Sequence, residues 1–232
     1  MRNYLNSRLL RWIEAEALAL GLFTSEAAQQ LDRGEIAGRI EPYPLLQPVL
    51  AERPIDIPRL AALIETCAVM GGKYPVMNFY RFVENEGRAQ FLIARLIDRL
   101  ENATNPELIT HIDTIIEQVV QADYLTQDDK PDWSGATRFV SAVLTATNSR
   151  RFVDFPSRRR WLDFGEQVGW SPPDTLDTYG EWILWASELA CAVAETATFQ
   201  TYWPGSDPRY SEPLWVISGL CAGHHRATKR QY

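Results

Sequence analysis

Five arginines stand close together in the second half of the chain: Arg150, Arg151, Arg158, Arg159 and Arg160. They lie in the run Asn148-Ser149-Arg150-Arg151-Phe152-Val153-Asp154-Phe155-Pro156-Ser157-Arg158-Arg159-Arg160-Trp161. A guanidinium is a planar fork of donors that suits phosphate, and three of these residues fall where a helix is expected to open, the end that attracts anions. Phe152, Phe155 and Trp161, interleaved with them, either anchor the turn or stack on bases. The pattern fits a connector between two helices that touches a nucleic-acid backbone. The plainer reading is an exposed basic turn that pairs with the protein's own surplus carboxylates. Cations at a helix start oppose the macrodipole by on the order of a few tenths of a kcal/mol, which points to an external reason for the cluster.

Other constellations are incomplete. Cys221, His224 and His225 can ligate metal, but zinc needs a fourth ligand, and Cys67, Cys191 and His111 lie at unrelated spacings. Cys221 reads as a buried residue closing an apolar segment, and no metal is expected. Asp177, Glu181, Glu188 and Glu195 share roughly one face of a long helix. Without a Glu-x-x-His partner motif they read as its solvated side. Gly71-Gly72-Lys73 lacks the upstream glycine and following Ser or Thr of a phosphate-binding loop. Gly-x-Ser-x-Gly, His-Glu-x-x-His, Cys-x-x-Cys and Gly-x-Gly-x-x-Gly do not occur. No catalytic residue and no cofactor is therefore expected, and a metal-dependent enzyme is the weakest of the functional readings.

The elements that must position these residues read as helices. Leu5, Leu9, Ile13 and Ala17 form a first stripe ending near Gly21, and Ser25 suits the cap of a short helix through Leu31. Between about 33 and 57 the pattern fails. Pro42, Pro44, Pro48 and Pro54 break any long helix there, and the stretch is expected to be a linker or an arm on another surface. Leu60, Leu63, Ile64 and Cys67 form a stripe after Pro58, closed by Gly71-Gly72. A further helix is expected over 88–100. Asn105-Pro106 then reads as a capped start for the face Leu108, Ile109, Ile112, Ile115, Ile116 and Val119, with His111 at the core's edge. A polar hinge at 127–132 precedes helices over 134–147, 156–168 and 174–199. A loop over 200–213 leads to an apolar segment, 214–220, that is either a short helix or a strand. Period-two β-branched alternation is scarce. The expectation is an all-α, irregular helical bundle in two parts, 1–126 and 127–232, with a basic connector at 148–161.

Composition bounds the class. Hydrophobic residues make up 46% and charged residues 23% of 232, enough for a sizeable core. Three cysteines without paired spacing argue against a disulfide framework and suit a reducing, cytoplasmic setting. No signal peptide is visible, and the most apolar stretch, 182–199, is interrupted by Glu188 and Glu195, so no membrane partner is expected. The net charge is −7, yet residues 150–160 set five arginines against Asp154 alone, and the last nine residues hold Arg226, Lys229 and Arg230 without an acid. The body is acidic, with two basic islands.

The second half also resembles the non-ATPase, N-terminal regions of McrB-like proteins of prokaryotic defence systems. The similarity is carried by Thr137-Arg138-Phe139-Val140-Ser141-Ala142-Val143-Leu144, Arg151-Phe152-Val153-Asp154-Phe155 and Ser157-Arg158-Arg159-Arg160-Trp161. Tyr202-Trp203-Pro204-Gly205-Ser206-Asp207-Pro208 and Glu212-Pro213-Leu214-Trp215-Val216-Ile217 continue it. The resemblance implies a region that recognises a target, often DNA, beside a separate nucleotide-hydrolysing motor supplied by other subunits. The leading expectation is thus a nucleic-acid-binding accessory subunit without catalysis of its own. Its phosphate contacts would be Arg150, Arg151, Arg158, Arg159 and Arg160, joined by Lys229 and Arg230. The alternative is a helical scaffold that meets protein partners through Trp182, Trp185, Trp203 and Trp215.

Overall fold

Apolar residues at helical spacing become helices wherever the chain is described. A computed structural model of the protein describes residues 2–14, 42–66, 86–100, 103–121, 133–155, 157–202 and 212–229. Before residue 126 run α1 (Arg2–Trp12), α2 (Pro42–Ala51), α3 (Ile57–Thr66), α4 (Glu86–Arg99) and α5 (Asn105–Gln121). After it run α6 (Trp133–Thr147), α7 (Arg158–Val168), α8 (Tyr179–Ala194), α9 (Ala197–Tyr202) and α10 (Pro213–Lys229). The described residues contain no strand, and the fold is all-α. The expected short helix at 25–31, Gly71-Gly72 and the hinge at 127–132 lie outside the described residues, as does Trp203.

The proline-rich arm needs correcting in part: of its described residues, 42–57, Pro42–Ala51 form the helix α2, while 52–56 are not helical. Pro42 and Pro44 occupy the first turn, where the amides have no partner inside the helix anyway, so they cost no hydrogen bond. Only Pro48 removes an interior bond, a loss of about 3 kcal/mol. Against it, α2 buries Leu46, Val49 and Leu50, each contributing roughly 1.5–3 kcal/mol. Burial wins, and the prolines at 44 and 48 are left on the exposed side.

The start of α5 differs in detail. Thr104, not Asn105, is the capping residue: its backbone N–H and hydroxyl both donate to Glu107 Oε2, at 2.9 and 2.7 Å. These bonds hold the Glu107 carboxyl below its usual range, the backbone one having the larger effect. Further on, α8 begins at Tyr179, five residues later than the pattern from 174 suggests. Its capping box places the Thr178 hydroxyl on Glu181 N and the Glu181 carboxylate on Thr178 N. Segment 214–220 is helical, within α10.

The helices group differently from a division at residue 126. α2 to α6 pack among themselves, while α1 crosses to α7, α8 and α9, and α7 and α8 both pack on α10. Trp12 meets Phe164 edge-on at 5.7 Å, Asn6 Oδ1 accepts from Thr198 N at 3.0 Å, and Arg8 donates to Glu166 O at 3.2 Å. α6 is apolar nearly all round, with Ala136, Phe139, Val140, Ala142, Val143, Leu144 and Ala146 buried, so it must be enclosed. It lies against α2, α4 and α5. The two groups meet where α5 packs on α8. There Gly180 lets the backbones approach, and its N–H donates to Asp113 Oδ1 at 2.8 Å.

Candidate functional site

The basic connector joins the two groups of helices. After α6, Arg151 N and Phe152 N both donate to Asn148 O at 3.1 Å, closing a turn. The chain then runs as a buried strap: Phe152, Val153, Asp154 and Phe155 are at most 1% exposed. A buried extended segment must find partners for its backbone. Val153 N donates to Ser187 Oγ on α8 (3.3 Å) and Phe155 N to Ser141 Oγ on α6 (3.1 Å). Asp154 O accepts from Trp161 Nε1 at 3.1 Å. Ser157 then caps α7, its hydroxyl accepting from Arg160 N, and left-handed Gly169 (φ 71°) ends that helix.

The strap runs antiparallel to α8. Cys191 Sγ donates to Arg150 O at 3.8 Å, Ser187 meets Val153, and the Arg158 guanidinium lies over the rings of Tyr179 (4.5 Å) and Trp182 (5.4 Å). Twelve residues of α8 separate the two ends, about 18 Å of helix. Phe152, Phe155 and Trp161 are therefore anchors of the strap, not a platform for stacked bases. Nor is the connector the turn of a packed helix pair, since α6 and α7 have their main contacts in opposite groups.

The fold sorts the five arginines by exposure and by what they touch. Arg150 and Arg159 are exposed, and Arg151, Arg158 and Arg160 are half-buried. Arg151 is occupied: it donates to Leu100 O and to Asn105 Oδ1, both at 3.1 Å, and lies over Phe152 at 5.3 Å. Asn105, expected as a helix cap, is thus a tie between α5 and the connector. The Arg160 carbonyl accepts from Cys221 Sγ at 3.3 Å, which joins α7 to α10. Arg158 is held by aromatic faces, a contact that consumes no N–H, and its buried Nε has no hydrogen-bond partner. Among the described residues, Arg150, Arg151, Arg158 and Arg159 form no ion pair.

Beside Arg158 lies a cavity of about 210 Å³ lined by Ser134, Thr137, Phe155, Ser157, Arg158 and Tyr179. Ser134 and Thr137 belong to the opening turns of α6, Ser157 and Arg158 to the start of α7, and Tyr179 to the start of α8. Trp133 stacks on Tyr179 nearby, with ring centres 6.2 Å apart. One cation and four hydroxyl-bearing side chains line the cavity, and no carboxylate does. Sequence reading missed Ser134, Thr137, Ser157 and Tyr179 as site residues. Ser157 carried a readable cap signal, and the others had none, because only the packing of three helices brings them together.

The remaining candidates fall elsewhere. Trp182, Trp185 and Trp215, expected at a partner interface, are 9%, 4% and 3% exposed in the protein's own core, where Trp182 and Trp185 pack edge to face at 5.6 Å. Arg230 lies outside the described residues, and Lys229 is described only as part of α10. Cys221 is buried, and His224 and His225 are described only in their backbone. No group of three His, Cys, Asp or Glu that suits a metal occurs among the described residues. Burial raises the Cys191 thiol above its usual value, with Glu195 and Glu188 adding to the effect, so it is a poor nucleophile. Of the acids expected on one helix face, Asp177 before α8, Glu188 within it and Glu195 just after it are exposed, while Glu181 serves the capping box. No helix among the described residues is long and apolar enough to cross a membrane. In comparisons with family models, curated proteins and solved structures, nothing matches the chain.

Proposed function

We propose that this protein binds nucleic acid through its phosphates, with Arg150, Arg158 and Arg159 as the contacting residues. In this reading it acts as a recognition subunit without catalysis of its own. The resemblance of the second half to McrB-like regions adds the setting, a prokaryotic defence-type complex with DNA as the preferred target and other subunits as partners.

One observation carries the reading. The chain has 30 acidic residues against 23 Lys and Arg, yet four of the five connector arginines have no carboxylate partner among the described residues. Two arginines elsewhere do pair, Arg53 with Asp98 (3.1 Å) and Arg59 with Glu52 (2.8 Å). An acidic protein that leaves Arg150 at one end of the strap, and Arg158 and Arg159 beyond the other, without a carboxylate partner among the described residues offers them to an anion from outside. Their span of about 18 Å matches roughly five phosphates of one duplex strand at about 3.4 Å per charge. The scaffold reading has less support, since Trp182, Trp185 and Trp215 are buried in the core and only Trp203, outside the described residues, is left to it.

Fluorescence anisotropy with labelled single- and double-stranded DNA and RNA tests the assignment. Arg150→Gln and Arg159→Gln are expected to weaken binding about equally across sequences and to lower the salt slope by about one each. Arg151→Gln, whose guanidinium is already used within the fold, should leave the slope unchanged. A folded Arg150→Gln/Arg159→Gln protein with wild-type affinity and salt dependence would sink the assignment.

A further inference from the structure

We infer that the cavity between the starts of α6, α7 and α8 is a binding site for a phosphate monoester, the terminal phosphate of a nucleic-acid strand being its source. The source rests on the nucleic-acid reading above; the chemistry of the cavity does not.

Three observations on the cavity agree. Arg158 lines it with its hydrogen-bonding capacity unspent: its contacts are to the rings of Tyr179 and Trp182, and its buried Nε has no partner. A guanidinium fixed between aromatic faces has already lost its rotamer freedom, so binding an anion there orders little that was loose. The rest of the lining is of one chemical kind. Ser134, Ser157 and Tyr179 bring hydroxyls, the Thr137 hydroxyl is already donated to Trp133 O at 2.6 Å, Phe155 brings an apolar wall, and no carboxylate opposes an anion. The cavity's position adds a field of the same sign, because Ser134, Arg158 and Tyr179 stand in the first turns of three helices.

Size and charge select the ligand. About 210 Å³ is below the roughly 300–1,000 Å³ of sites that enclose a whole cofactor or nucleotide. It suits a headgroup. A phosphate monoester carries about −1.5 to −2 charges and three acceptor oxygens, enough to engage the arginine and several hydroxyls together. A carboxylate offers two oxygens and one charge. An internal phosphodiester carries one charge and two free oxygens, so it engages the same lining less strongly.

The test compares one single-stranded DNA sequence bearing a 5′ phosphate, a 3′ phosphate or hydroxyls at both ends. One phosphorylated form is expected to bind about ten- to a hundredfold more tightly than the unphosphorylated strand, the size of one or two charge-assisted hydrogen bonds. Arg158→Gln should erase that preference. So should Ser134→Asp, which sets a carboxylate at the cavity on an exposed first-turn position where an acid suits the helix, so its melting temperature should not fall. If the strand binds equally with and without a terminal phosphate, or if both variants keep the preference, the inference fails while the nucleic-acid reading stands. If no strand binds but inorganic phosphate raises the melting temperature of the wild type and not of Arg158→Gln, the cavity is a phosphate site and the nucleic-acid reading fails. If neither strand nor phosphate acts, both fail.

Discussion

Two serines hold the strap on which the candidate site depends, and their removal has a calculable cost. Ser141 Oγ donates to Arg138 O at 3.0 Å and accepts from Phe155 N at 3.1 Å. Ser187 Oγ donates to Ile183 O at 2.8 Å and accepts from Val153 N at 3.3 Å. Val153 and Phe155 are 0% and 1% exposed, so neither amide can turn to water when its serine becomes alanine. An orphaned buried donor costs about 1–3 kcal/mol, with the shorter bond to Ser141 at the upper end and the longer one to Ser187 at the lower. For a chain of this length each kcal/mol lowers the melting temperature by about 2–4 °C. Ser141→Ala and Ser187→Ala should therefore melt about 2–12 °C lower by circular dichroism. The double variant should depart from additivity by about 0.5 kcal/mol or more, because the two amides lie two residues apart on one strap. Thr145→Val is the control: its buried hydroxyl donates only to Ser141 O, so its loss orphans no amide and should cost under about 1 kcal/mol. Serine variants within about 0.3 kcal/mol of wild type in urea unfolding would refute a dry, serine-pinned strap.

Two further outcomes concern the seams between helices. A Cβ on Gly180 would stand 2.8 Å from Ile109 O and 3.0 Å from Asp113 Oδ2, so Gly180→Ala should destabilise by about 1–3 kcal/mol. Gly87→Ala, with nothing within 4 Å, should be neutral or stabilising by up to about 1 kcal/mol. Equal stability of the two variants in urea titration would contradict the close approach of α5 and α8. His111 is buried against α4, where its Nε2 lies 3.2 Å from Arg95 O. Burial holds its pKa below the usual value, aided by Arg99 and Arg95 and opposed by the Arg95 backbone bond. Below about pH 6.5 the unfolded chain takes up a proton that the folded one resists, so this contribution to stability is present above that pH and lost as pH falls through the window. His111→Gln should flatten the fall in stability between pH 7 and pH 5. A slope identical to wild type would contradict the assignment.

Much of the fold was legible because helix boundaries are local. The stripes of α1, α4 and α5 and the Gly169 stop depend on a few neighbouring residues each. What failed were questions settled by distant partners. Pro48 reads as a breaker until the burial of Leu46, Val49 and Leu50 against other helices is weighed against it. A Trp-rich helix face looks the same in sequence whether it meets a partner or the protein's own α10, so the pattern of Trp182 and Trp185 suits core and interface alike, and only the packing decides for core. The arginine cluster was visible as a composition feature. Its partition between occupied Arg151 and unspent Arg158 was not, because Leu100, Asn105 and Tyr179 reach it only through the fold.

The most direct measurement is the salt dependence of wild-type binding to labelled duplex and single-stranded nucleic acid. Three contacting arginines correspond to a slope of log K against log salt of about −2.7 on duplex DNA. Contacts from Lys229 and Arg230 as well would steepen it to about −4.5. A slope in that range, uniform across sequences, is the expected result. No binding at low salt, or binding that salt does not weaken, would contradict phosphate contact by the strap arginines.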